Sequence, residues 1–346
     1  MLQELQAKFD PGLVAEAFKS EETARITCSK NKSSISKKES SSTLDLVISE
    51  DQSHILINNQ QQLFLRFDNF YKNGDRILIF MSETTIEIMQ KSQEYHFDGT
   101  FKNAPKMFYQ ILTAHAVINN HTYPCAYIFL ENKNTKTYVI VLEQLRNICF
   151  PKNLKKIMCD FESALMKSVN SVFPDVILKG CWFHYSQAIR KNLFSLGFKF
   201  NYLNDWKFKF WVKRFISIPL IPVENIIQAF NIIIEEIPLN DEKIINFIKY
   251  YQKQWLNGSI SPEIWNHHDS QKRTNNDLEG YHSKLTKFLP KYHPKFSDMI
   301  TCIKKEDVKT RNVYLSGKEK KQSKKISKKI FKFNLSKKTS EEITRI

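Results

Sequence analysis

Three carboxylates in this chain sit in contexts that suit a hydrolytic metal centre: Asp98 in HFDGTF, Asp160 in MCDFESAL and Glu279 in NNDLEGYH. Acids drawn from distant segments supply hard oxygen ligands, which fit Mg²⁺ or Mn²⁺. Two such ions about 3.5–4 Å apart stabilise the attacking and leaving oxygens of an in-line displacement at phosphorus, and one of them activates the water. On this reading Asp98 bridges both ions, while Asp160 and Glu279 each bind one. Each acid also has an ordinary structural reading. Asp98-Gly99 between aromatic flanks is a hairpin signal. Asp160 ahead of a helical run is an N-cap. Glu279 suits an exposed helix face. Any three acids can be picked from thirty-six, so spacing alone does not make them converge.

The elements around the acids supply a reason for convergence. RILIFMS reads as a short buried strand, and SETTIEIMQKS as a helix with Ser82 as N-cap and Glu83 in its first turn. EYHFDGTFK, MFYQILTAHAVI and TYPCAYIFLE are strand-like runs separated by turn residues in KNAPK and NNH. NTKTYVIVLEQLRNIC then suits a helix through Val139, Leu142, Leu145 and Ile148. KKIMCDF, ESALMKSVNSVF and VILKGCWF follow as strand, helix and strand. Three meandering strands followed by αβ repeats predict an α/β fold with a mixed sheet flanked by helices, in the order of a ribonuclease-H-like fold. In that order the strands bearing Asp98 and Asp160 are central neighbours, and a later helix brings Glu279 to the same edge.

Three regions surround this pattern. Residues 1–70 form an N-terminal extension with short helical pieces in 1–25 and a Ser/Lys-rich linker at 29–43. HILI and the start of LFLRF supply strands between Leu46 and Leu65. The main domain covers 71–300, with an all-helical insertion at about 185–272 punctuated by Pro219, Pro222 and Pro238. Beyond it RTNNDLEGYHSKLTKFL opens a further helix, with Asn275 or Asn276 as N-cap. Residues 301–346 hold fifteen Lys and Arg against five Asp and Glu, and so carry +10 of the net +16. They read as a basic, partly disordered tail, in which KEKKQSKKISKK at 318–329 suits a nuclear-import signal or a nonspecific DNA-binding arm.

The basic balance points to a polyanionic partner. Six scattered cysteines without a C-x-x-C argue against a disulfide framework. The N-terminus lacks a signal-peptide pattern, and no uncharged apolar run approaches the ~20 residues of a membrane span. A soluble intracellular protein is expected.

Residues 76–289 resemble the transposases of Mutator-like elements, the MULE family, in three blocks that occur in order. RILIFMSETTIEIMQKSQEYHFDGTFKNAPKMFYQILTAHA is similar to the family's opening, whose Asp-Gly-Thr-Phe strand carries the first catalytic acid, here Asp98. KKIMCDFESALMKSVNSVFPDVILKGCWFHYSQAIRKNL is similar to the block with the second acid and a Gly-Cys-x-x-His, here Asp160, Cys181 and His184. RTNNDLEGYHSKL is similar to the block with the catalytic Glu, here Glu279. The resemblance implies DDE-type cleavage and transfer of DNA phosphodiesters with a divalent metal, work in the nucleus on transposon ends and target DNA, and a homo-oligomer on DNA. One departure matters. Many members carry an N-terminal zinc module, whereas the first 70 residues here hold only Cys28 and His54. A truncated or domesticated, non-catalytic DNA- or chromatin-binding descendant is therefore the second expectation.

Other candidates are accessory. Cys181 and His184 alone fall short of a structural zinc site, which needs four ligands. Cys149, Cys159, His267, His268 and His282 are the other residues available for a zinc-organised interaction protein, but none completes a second paired spacing. Without zinc, the pair reads as a buried thiol and a hydrogen-bonded imidazole at a strand-to-helix junction. His184 could also orient an acid or touch DNA. Arg190, Lys191, Arg273 and Lys284 are candidates for phosphate contacts, or solvated surface positions. Trp182, Trp265 and Tyr281 suit base stacking or core packing.

Overall fold

A computed structural model describes residues 42–69, 75–270, 280, 281, 285, 289 and 292–317. The chain divides into two compact units at Leu46/Val47. Of the first unit, residues 42–46 are described, with a turn in which the Leu46 N–H donates to the Thr43 carbonyl. The helical pieces expected at 1–25 and nearly all of the linker at 29–43 lie outside the described residues.

The second unit opens with helix α1 (Glu50–Ser53) and a two-stranded hairpin, β1 (His54–Ile57) and β2 (Gln60–Leu63). Asn58 and Asn59, both at positive φ, make its turn, as the right-handed twist of paired strands favours. A seven-stranded mixed sheet follows. Its strands are β3 (Leu65–Asp68), β4 (Ile77–Phe80), β5 (Glu94–Thr100), β6 (Gln110–Ile118), β7 (His121–Leu130), β8 (Lys156–Cys159) and β9 (Ile177–Gly180), in the spatial order β3-β4-β7-β6-β5-β8-β9. From β3 through β5 all neighbours are antiparallel, whereas β8 and β9 run parallel to β5.

Local chemistry explains this meander. Asn119 and Asn120, at positive φ, turn β6 into β7. Pro124 faces His115 beside the one register shift in the β6–β7 ladder. There β7 has already run past β4, whose ladder ends at Tyr127, so the missing proline N–H leaves no second neighbour unpaired.

Alternation along the strands separates two faces. One face carries Tyr95, Phe97, Leu112, Ala114, Ile128, Ile157 and Cys159. It packs under α2 (Glu83–Lys91), α3 (Thr135–Cys149) and α4 (Ser163–Val172). Ser82 caps α2 as expected, in a capping box with Thr85. The buried stripe of α3 is Tyr138, Val141, Leu142, Leu145 and Cys149. The expected Val139 and Ile148 only flank it, because the helix is rotated by about one position to bring Tyr138 over the strand ends. The opposite face holds a ring cluster of Phe64, Phe80, Phe108, Phe129 and Phe296, with centroids 5.3–6.4 Å apart.

Strand β9 ends at Gly180, three residues earlier than the run VILKGCWF suggests, and α5 (Trp182–Ser195) leaves at once. The helical layer continues through α6 (Lys199–Asn204), α7 (Trp206–Ser217), α8 (Ile226–Glu235), α9 (Glu242–Tyr251), a π-turn at Gln252–Leu256 and α10 (Pro262–Trp265). Tyr185, Trp211, Phe215, Phe247, Tyr251, Trp255 and Trp265 form its aromatic core. Of the helix expected around Glu279, residues 280, 281 and 285 are described and helical, while the cap candidates Asn275 and Asn276 lie outside the described residues. Residues 296–317 form helix α11. Met299, Ile300, Ile303 and Tyr314 are buried, so the tail boundary drawn at 301 falls inside a packed helix.

Candidate catalytic edge of the sheet

Asp98 lies inside β5, opposite Thr113 of β6, and is 6% exposed. The hairpin alternative for Asp98-Gly99 therefore does not apply. A glycine follows because a Cβ on residue 99 would lie 2.9 Å from Gln110 Oε1. Asp160 is half-buried directly after β8. The parallel ladder of β5 and β8 pairs Glu94 with Lys156, Tyr95 with Ile157 and His96 with Met158. Asp98 and Asp160 each stand two residues beyond the last pair. Register mates in a parallel pair share a face, and adjacent strands are about 4.8 Å apart, so the two acids are level at the same end of the sheet.

Asp160 is not the cap of α4. That position is Glu162, whose side chain caps nothing, while Asp160 Oδ1 accepts the Glu162 N–H at 3.3 Å. Glu162, not singled out from the sequence, adds a second carboxyl beside Asp160. Burial raises its pKa, and the charge of Asp160 raises it further, against a hydrogen bond from Tyr138 and the charge of Lys133. Tyr138 Oη donates to Glu162 Oε2 at 3.1 Å and accepts from Gln110 Nε2 at 2.7 Å. This chain runs from the start of β6 through α3 to the segment after β8. Lys133 and Glu162 could have been found by one signal: each lies three residues beyond the C-terminal end of its strand, at the edge that carries Asp98 and Asp160.

Cys181 precedes α5 and is fully buried, and its N–H donates to the Cys159 carbonyl at 2.8 Å. His184 lies one turn on. Burial lowers its pKa and the negative charge of Asp160 opposes that effect, so the imidazole lies within electrostatic reach of this acid. His184 Nδ1 is buried without a hydrogen-bond partner among the described residues. Among the described residues no group of three or more His, Cys, Asp or Glu side chains is placed to hold a metal ion.

Glu279, Arg273, Lys284 and His282 lie outside the described residues. The chain on either side of Glu279 is placed. Before it, Lys179 of β9 donates to the carbonyls of Glu263 and Asn266, at 2.6 and 2.9 Å, and His267 Nε2 lies 2.8 Å from the Gly180 carbonyl. After it, the Tyr281 ring meets His115 edge-on at 5.1 Å. His115 pairs with His96, on the face that carries Asp98. Arg190 is half-buried and Lys191 exposed on α5. Of the stacking candidates, Trp265 and Tyr281 are buried, and half-buried Trp182 donates Nε1–H to the Ile216 carbonyl at 2.8 Å.

Comparison with known proteins covers this edge of the sheet. The family model described as the MULE transposase domain matches residues 94–188, from the first residue of β5 into α5. The match contains Asp98, Asp160, Cys181 and His184, and it relates this part of the chain to MULE transposases. No curated protein matches the chain. No described helix is long and apolar enough to cross a membrane.

Proposed function

We propose that this chain is the catalytic core of a DDE-type DNA transposase or nuclease, which cleaves and transfers DNA phosphodiesters at an edge built from Asp98, Asp160 and Glu279. The observation that carries the reading is the level placement of Asp98 and Asp160 on one sheet face, inside the segment matched by the MULE transposase domain. The order β7-β6-β5-β8-β9, with β6 antiparallel to its neighbours, supports a ribonuclease-H-like fold extended by β3 and β4.

Two level carboxylates offer the hard oxygen donors that Mg²⁺ or Mn²⁺ requires, and Glu279 is the third donor. Bound there, two ions would polarise the phosphodiester and lower the pKa of the attacking water. The protein's own groups have separate tasks. Asp98 is held rigidly within a strand, so its carboxylate direction is preset. Asp160 is oriented by the Glu162 N–H, with His184 within electrostatic reach. Arg190, Lys191, Arg273 and Lys284 bind the DNA backbone, which makes affinity fall steeply with salt. The protein would work in the nucleus, as a homo-oligomer on transposon ends.

The direct test is nicking of supercoiled DNA by the full chain. Nicking in Mg²⁺ or Mn²⁺ that EDTA and Asp98→Ala abolish supports the reading. Wild-type activity in Asp98→Ala contradicts it. DNA binding without nicking would favour the domesticated, non-catalytic descendant.

A further inference from the structure

Beyond Asp98, β5 ends at Thr100, and Phe101 then turns outward, 42% exposed. Tyr109, immediately before β6, is 48% exposed. The two rings meet edge-on, with centroids 5.4 Å apart and planes at 78°. The Tyr109 N–H donates to the Leu130 carbonyl at 2.8 Å, which fixes the ring at the shared end of β6 and β7. Lys133, just past β7, holds Nζ 5.5 Å from both ring centroids. Its charge also reaches Glu162 beside Asp160. The ammonium group thus lies over the aromatic pair and within electrostatic reach of Glu162. A cleft of about 500 Å³ opens against these rings, with exposed Lys106 and the carboxylate of Glu131 on its walls. That carboxylate is engaged by the Arg76 N–H.

We propose that Phe101, Tyr109 and Lys133 form a platform for one unpaired nucleobase next to the scissile phosphate. This rests on the reading of the neighbouring acids as a phosphodiester-cleaving edge. Exposed aromatic faces stack on any base, and lysines beside them neutralise the flanking phosphates. The spacing fits as well. Phe101 is three residues from Asp98, about 10 Å along an extended chain, or one to two nucleotides from the reacting bond. Lys106 lines the cleft and Lys133 stands over the two rings, while Glu131, the one acid among the described residues of the lining, is already engaged, so the charge suits a polyanion better than a peptide. The platform also accounts for two large rings left open beside a catalytic edge, whereas Trp265 and Tyr281 serve the core.

The test uses the full chain in EDTA, so that no cleavage intervenes. The probe is a duplex with a short single-stranded overhang carrying 2-aminopurine at its first or second unpaired position. The wild type should quench the 2-aminopurine and bind this probe about tenfold tighter than the blunt duplex. Phe101→Ala and Tyr109→Ala should lose both effects. Tyr109→Phe should keep them, and Tyr109→Leu, which retains apolar volume, should lose the quenching. Lys133→Gln should weaken binding and lower the salt slope by about one. Wild-type quenching in both alanine variants, or no preference for the overhang in the wild type, overturns the platform. Tyr109-dependent quenching without nicking in Mg²⁺ would sink the cleavage reading and leave the platform. Nicking without such quenching would do the reverse.

Discussion

The ring of Phe161 meets Trp255 edge-on, with centroids 5.0 Å apart, and so joins the residue after Asp160 to the aromatic core of the helical layer. Gly180 makes this possible, since a Cβ there would stand 2.2 Å from Phe161 Cε1. Gly180→Ala should therefore push Phe161 off Trp255 and move Asp160 with it. We expect a loss of about 1–3 kcal/mol of stability by thermal melting, together with a fall in nicking. A variant with the wild-type melting temperature and wild-type activity would contradict this coupling.

Tyr138 links Gln110 to Glu162 through one hydroxyl. Tyr138→Phe should leave the Gln110 amide buried and short of a partner, at a cost of about 1–3 kcal/mol. Urea denaturation measures it. A change below about 0.5 kcal/mol would mean that the hydroxyl chain contributes little.

Asp307 ties α11 to the start of α2, accepting from Thr85 Oγ1 at 3.4 Å. Burial pushes its carboxyl up to about 6, against hydrogen bonds from Ser82 and Thr85 and the charge of Arg66. The folded pKa lies above the unfolded one, so the native state holds the proton more tightly. The stability this proton supplies is fully present below about pH 3.8 and lost as pH rises through about 6. The difference is on the order of 2–3 kcal/mol. Asp307→Asn should remove this dependence and melt several degrees above the wild type at pH 7.5. A gap between the two proteins that is the same at pH 4.5 and 7.5 would refute it.

Divalent metal should stabilise the fold, because ligands that bind only the native state do so by mass action. At a hundred times the dissociation constant the gain is about 2.7 kcal/mol. Mn²⁺ should raise the melting temperature of the wild type, and this rise should vanish in Asp98→Ala and Asp160→Ala. An equal rise in both variants would place the metal elsewhere.

Much of this edge was legible in the sequence, for physical reasons. Period-two runs and the Asn-Asn turn mark the meander, and strand order follows from three strands succeeded by αβ repeats. The finer roles were not legible. Asp98-Gly99 fits a turn as well as a strand, and only pairing with β6 decides. Glu162 and Lys133 are single charges in loops, a type common on any surface; Glu162 is the local neighbour of Asp160, two residues on, whereas tertiary packing brings Lys133 within electrostatic reach of Glu162. Aromatic identity does not reveal direction, so Trp265 and Tyr281 suggested stacking although they are buried, while Phe101 and Tyr109 drew no notice. Net charge also concealed the packing of α11, where Lys304 and Lys305 follow directly after the buried Ile303.

The most direct test of the central claim asks whether Asp98, Asp160 and Glu279 surround the same metal. Fe²⁺ in place of Mg²⁺, with ascorbate and peroxide, generates hydroxyl radicals that cut the chain beside the bound ion. We predict cuts near residues 98, 160 and 279, suppressed together by excess Mg²⁺ and by Asp98→Asn. Cuts that spare the segment around 279, or that persist unchanged in Asp98→Asn, would contradict a shared three-carboxylate centre.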